Sequence, residues 1–103
     1  MSLSAKLDNS DVTTARALVP AVTYRVIAVK SMILTVASAG TYWFEDGDAT
    51  QVGCKHTLAA NGQVSHNFGG DGLQTTVINK ALNLKGSASG VVGCTIIYDT
   101  VEI

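Results

Sequence analysis

A chain of 103 residues holds one domain on one core, and ten glycines against one proline, with Val, Thr, Ile and Ala throughout, favour strands joined by tight turns over helices. Charged residues make up only 15% of it, where about 25% is usual for soluble domains. The seven Lys and Arg are scattered and balanced by eight Asp and Glu, which argues against direct nucleic-acid binding, because phosphate recognition needs clustered positive charge.

The opening Met1-Ser-Leu-Ser-Ala-Lys-Leu-Asp carries no basic flank before an apolar stretch. No later run reaches the roughly 18 apolar residues of a membrane span, so a soluble protein without an export signal is expected. Residues 1–20 read as an N-terminal arm and first edge strand, with Asp8-Asn9-Ser10-Asp11 as a turn cluster and a short strand over Val12 to Ala17. Pro20 belongs at a sheet edge or at the entrance of the next strand, since it cannot donate to a ladder. The arm is polar and poor in large apolar groups. Its order is expected to come from a partner, with the arm either adding an edge strand to the sandwich from about Val12 to Ala17 or lying along a neighbouring subunit, which makes Lys6, Asp8, Asp11 and Arg16 the candidate partner-binding residues.

Residues 21–103 read as the β-sandwich domain. Val22 to Val36 has apolar residues on both faces, which predicts one long bent strand, or two broken near Lys30-Ser31, either buried between layers or meeting a neighbouring subunit. Ala39-Gly40 is a turn, and Thr41 to Glu45 is an aromatic strand that stops at Asp46-Gly47-Asp48. Gln51 to Leu58 and Gln63 to Phe68 flank Asn61-Gly62, a pair that predicts a two-residue hairpin. After Gly69-Gly70-Asp71-Gly72, the stretch from Leu73 to Lys85 is ambiguous, because Val77, Ile78, Ala81 and Leu82 have helical spacing whereas Ala81-Leu-Asn-Leu-Lys alternates. It reads as a loop or single turn followed by a strand over Leu82 to Lys85. The last strand runs from Val91 to Thr100, with Val92, Cys94, Ile96 and Tyr98 on one face. The sum is an all-β, antiparallel sandwich of jelly-roll type with seven or eight strands.

Chemistry is sparse. His56 and His66 flank the Asn61-Gly62 turn and would face each other across the hairpin near Cys54, but the spacing is not that of a zinc site. Glu45, Asp46, Asp48 and Asp71 lie in turns without the calcium-loop pattern. Ser65 and His66 are neighbours on a strand and point to opposite faces, so they form no nucleophile and base pair. No phosphate loop, nucleophile elbow or metalloprotease motif occurs, and neither an enzyme nor a bound cofactor is expected. Cys54 and Cys94 are expected to be free, buried thiols. Tyr42, Trp43 and Phe44 are the candidates for stacking on a glycan, set against a core aromatic on one face and a partly covered one on the other.

Tyr24-Arg-Val-Ile-Ala-Val-Lys-Ser, Leu58-Ala-Ala-Asn-Gly, Ala81-Leu-Asn-Leu and Ser87-Ala-Ser-Gly-Val-Val-Gly-Cys-Thr-Ile-Ile-Tyr resemble segments of the small jelly-roll proteins of tailed bacteriophages, over about Val22 to Tyr98. The resemblance implies a capsid decoration or cement protein, a homotrimer that binds the major capsid protein on the virion surface and is assembled in the host cytoplasm. Tail or fibre components and a virion carbohydrate-binding module are the alternatives. Low charge supports assembly independently, because large apolar patches are uncommon on free monomers.

Overall fold

The computed structural model describes residues 3–70, 72–75 and 78–102, and every regular element among them is a strand. In chain order these are β1 (Leu3–Ser10), β2 (Arg16–Val19), β3 (Arg25–Val36), β4 (Gly40–Asp46), β5 (Gln51–Leu58), β6 (Gln63–Asn67), β7 (Leu73–Gln74), β8 (Leu82–Gly86) and β9 (Val92–Glu102). That is nine strands among the described residues rather than seven or eight. The additions are the arm's extra strand and the two-residue β7. Ser2, Asp71 and Val77 lie outside the described residues.

One sheet, called A here, has the order β1-β9-β3-β6, with β7 also on β3; sheet B has the order β2-β8-β4-β5. All pairings are antiparallel. The chain behaves as a doubled-back ribbon whose antiparallel pairs β1·β9, β2·β8, β3·β6 and β4·β5 fall alternately in the two sheets. Consecutive strands therefore mostly cross from one sheet to the other. Of the strands adjacent in sequence, only β4 and β5 pair as a hairpin.

Strand β3 explains why both of its faces read as apolar. Ile27 and Val29 point into the core, a register shift at Lys30 inserts one residue, and Met32, Leu34 and Val36 then take up the inward phase. It is one strand bulged where a break was the alternative. On β9, Val92, Cys94 and Ile96 are buried and Tyr98 packs against the same cluster, as the alternation predicts. From the other sheet Tyr42, Phe44, Val52, Leu82 and Leu84 complete the core. Between β7 and β8 the described residues make a turn at Ile78-Asn79, and none of them is helical.

Two expectations need correction. The turn at Ala59–Gly62 forms, with Gly62 N–H donating to Ala59 O at 2.9 Å and Asn61 at φ 58°, but it does not close a hairpin. Asn61 N–H donates to Ala37 O, and Gly62 O accepts from Val36 N–H, both on or just beyond β3. These bonds tie the turn to the end of β3 while β5 goes to sheet B and β6 to sheet A. Local sequence specified the tight turn, and the choice of partner was made by strands far away.

The arm, for its part, is ordered by its own domain. Leu3 to Leu7 pair with Tyr98 to Cys94, while Arg16, Ala17 and Val19 pair with β8. Alternating Ala5 and Leu7 pack on the core from β1, and Val12 is fully buried where the chain crosses between sheets. No strand spans Val12 to Ala17, because the Asp11 carboxylate takes the Thr13 N–H at 2.9 Å and turns the chain there. Strand β2 stops directly before Pro20, on the edge of its sheet.

Candidate interaction surface

The four arm residues fall into two pairs. Lys6 and Asp8 stand on the same face of β1, 74% and 66% exposed in their side chains, with Nζ to Oδ2 at 3.5 Å. Asp11 and Arg16 flank the crossing between sheets, where the Arg16 Nε donates to Asp11 O at 3.2 Å. Asp11 Oδ1 accepts from both the N–H and the hydroxyl of Thr13, at 2.9 and 2.7 Å. The Thr13 N–H is the main reason that its carboxyl titrates below the ordinary range, followed by the Thr13 hydroxyl. Asp11 and Arg16 are thus engaged in shaping the crossing, whereas the Lys6 and Asp8 side chains pair with each other at the surface.

Register assigns the rest of the outer face of sheet A, since directly opposed residues share a face. One row across β1, β9, β3 and β6 reads Lys6, Thr95, Ile33, Ser65, and the next reads Ser4, Ile97, Ser31, Asn67. Ile33 is 51% exposed and Ile97 37%. They are diagonal neighbours on adjacent strands, roughly 7–8 Å apart by sheet geometry. Among the outward residues of the three inner rows of β3, β6 and β9, which are Ser31, Ile33, Thr35, Gln63, Ser65, Asn67, Gly93, Thr95 and Ile97, none is charged. A shallow depression of about 270 Å³ lies beside Ile33, between Ser31 and Ser65. The sequence signal for this face was Ile33, apolar yet out of phase with the inward Met32, Leu34 and Val36, and the doublet Ile96-Ile97.

Sheet B differs. Its outer face carries Trp43, whose indole N–H donates to Glu45 Oε2 at 2.9 Å and whose ring lies under the Lys55 ammonium at 4.4 Å. Lys85, opposite Trp43 in register, donates to Thr13 O. Tyr42 and Phe44 point inward and are buried, so the aromatic triplet divides into two core rings and one partly covered ring.

The remaining polar candidates serve the fold. Asp46 is buried and its Oδ1 accepts from the N–H groups of Asp48 and Thr50, while Asp48 pairs with Lys80 at 2.9 Å. His56 and His66 do not meet across a hairpin. They sit on β5 and β6, the edge strands of opposite sheets, paired in register with the inward Tyr42 and Met32. Burial, then the charge of His66, lowers the pKa of His56. The His66 ring is tilted against Phe68 at 4.6 Å. No group of three or more metal-ligating side chains occurs among the described residues.

Cys54 is exposed, contrary to expectation. Strand β5 bulges against Trp43, and Gly53, at φ +77°, stands where an added Cβ would meet Leu73 Cδ2 at 2.8 Å, which turns the strand's phase outward at the next residue. Cys94 is buried, and that burial pushes its thiol up to about 12. No described helix is long and apolar enough to cross a membrane.

Fold and surface together define a two-sheet antiparallel β-protein whose sheet A has an uncharged outer stretch on β3, β6 and β9 and whose sheet B has an outer face dressed in ion and ring contacts. No protein-family model matches the chain, and no curated protein matches its sequence.

Proposed function

We propose that the chain is a non-enzymatic virion structural protein, a decoration or cement protein that binds the outside of a bacteriophage capsid and stabilises it. The alternation of its strand pairs between two antiparallel sheets supports a jelly-roll reading, in keeping with the phage proteins that its sequence resembles. The observation that carries this reading is the uncharged stretch of sheet A's outer face on β3, β6 and β9, where Ile33 and Ile97 stand exposed side by side. An uncharged stretch with adjacent exposed isoleucines is the kind of surface that interfaces cover, and here the cover is neighbouring copies in a homotrimer. Three copies on one rigid trimer gain avidity for a repeating shell, on the order of 10²-fold or more, without a new kind of contact. The major capsid protein is the partner on the shell, and the virion surface is the site of action after assembly in the host cytoplasm.

Sedimentation velocity of the purified chain, with and without Ile33→Lys, tests the assembly. An assembly that falls threefold in mass on the substitution is expected, because the added ammonium would have to be buried between copies. A chain that has one mass at all micromolar concentrations, unchanged by Ile33→Lys, overturns the assignment of this face. Cryo-electron microscopy of particles with added protein then tests attachment: density in hundreds of copies on the shell supports a cement, and density confined to the tail overturns it.

A further inference from the structure

Strand β1 is the outermost strand of sheet A, and no strand pairs with its second edge among the described residues. Leu7 turns its backbone toward β9: its carbonyl oxygen lies 3.7 Å from where a Cβ on Gly93 would stand, and its register partner is Cys94. Backbone groups alternate along an antiparallel strand, so the N–H and C=O of Lys6 face away from the sheet, and the register shift with β9 between Leu7 and Ser10 leaves Asp8 without a partner on β9. The Asp8 carbonyl accepts the Ser10 hydroxyl at 2.9 Å and keeps a second lone pair.

An open edge of this length is a template for another strand, and proteins often guard one with charge of a single sign, which repels a second copy. This edge carries two opposite charges two residues apart, both largely in solvent and both on one face. We infer that β1 pairs antiparallel with β1 of a second copy about a twofold axis at Leu7, with Lys6 of each copy opposite Asp8 of the other. In that register the backbone groups of Lys6 and Asp8 exchange ladder hydrogen bonds, and two ion pairs form symmetrically across the axis.

The charges also reject the neighbouring registers. A slide of two residues one way sets Lys6 opposite Lys6, and a slide the other way sets Asp8 opposite Asp8. Parallel pairing in register brings like charge beside like charge as well. The pattern therefore selects one orientation and one alignment, by repulsion as much as by attraction. The outcome is a continuous sheet in the order β6-β3-β9-β1-β1-β9-β3-β6.

This edge contact is separate from the face contact around Ile33 and goes beyond the capsid reading. Alone it yields a dimer; combined with a threefold contact it yields a hexamer of two trimers. The experiment is sedimentation velocity on the full chain for wild type, Lys6→Asp, Asp8→Lys and the double exchange Lys6→Asp/Asp8→Lys, with circular dichroism as the check on folding. Each single exchange is expected to halve the assembly mass, and the double exchange to restore it. A factor of two here and a factor of three at Ile33 keep the two contacts distinguishable. Equal masses for all four proteins, or a double exchange that stays at half mass, overturn the pairing. Should a single variant fail to fold, amide exchange on wild type decides. The Lys6 and Asp8 amides are expected to exchange at least tenfold more slowly at millimolar than at low micromolar concentration, and unchanged rates overturn the pairing.

Discussion

Gly86→Ala is the most exacting test of how the core is closed. Gly86 on β8 stands directly opposite Tyr42 on β4. A Cβ there would lie 2.5 Å from Cδ1 and 2.7 Å from Cε1 of the ring, and 3.1 Å from Val12 Cγ2. Carbon atoms pack best at about 3.5–4.0 Å, so the ring has to retreat by roughly 1 Å. It has little room to do so: Tyr42 is fully buried, and its hydroxyl donates to Ser38 O at 2.7 Å. Overpacking of this kind costs about 1–3 kcal/mol, and loss of the hydroxyl bond adds about 0.5–1.5 kcal/mol. The entropy removed from the unfolded chain by replacing glycine returns only about 0.4–1 kcal/mol. A net loss of about 2–3 kcal/mol follows, a large part of the roughly 5–15 kcal/mol that holds a domain of this kind. At about 4–8 °C per kcal/mol, the midpoint should fall by roughly 10–20 °C. Urea unfolding followed by circular dichroism measures it, and Tyr42→Leu, alone and with Gly86→Ala, closes the cycle. The two substitutions should couple by more than about 1 kcal/mol, because leucine vacates the space that the new methyl needs. A Gly86→Ala protein within about 0.5 kcal/mol of wild type would refute the claim that Tyr42 is held in place.

Two further outcomes follow from the titrating groups. His56 is held below its ordinary pKa in the fold, so the unfolded chain binds its proton first; stability is complete above about pH 6.5 and declines as the pH drops through that value. The urea midpoint should therefore fall between about pH 7.5 and pH 5, and less so in His56→Gln; identical pH profiles for the two proteins would remove His56 from the account. With Cys94 buried and its thiol at about 12, and Cys54 in solvent, a thiol reagent near pH 8 should label one cysteine per native chain, at Cys54, and both after denaturation. Rapid native labelling of Cys94, read by peptide mapping, would contradict its burial.

Much of the fold was legible in the residues, and for a physical reason. Where one face is buried and the other solvated, alternation writes the strand into the sequence, as in Val92, Cys94 and Ile96 or in Leu82 and Leu84. Glycine and Asx turns mark where such strands stop. The bulge at Lys30 was foreshadowed as well, since only an inserted residue lets Val29 and Met32 both face inward on one strand. Less visible was β1, because Leu3, Ala5 and Leu7 alternate with Ser4, Lys6 and Asp8 in a segment whose average polarity hides the pattern.

What only the tertiary structure decided is which strand lies beside which. Asn61-Gly62 writes a tight turn, yet a turn determines only the chain's direction over four residues, and the strands it joins went to different sheets because β3 took β6 and β4 took β5. That same long-range choice moved His56 and His66 from a shared hairpin to opposing edges. It also gathered Ile33 and Ile97, 64 positions apart in the chain, into one uncharged stretch of a face by the register of β3 with β9. Pairing partners are set by the burial of all the apolar faces at once, a property that no local window of sequence contains.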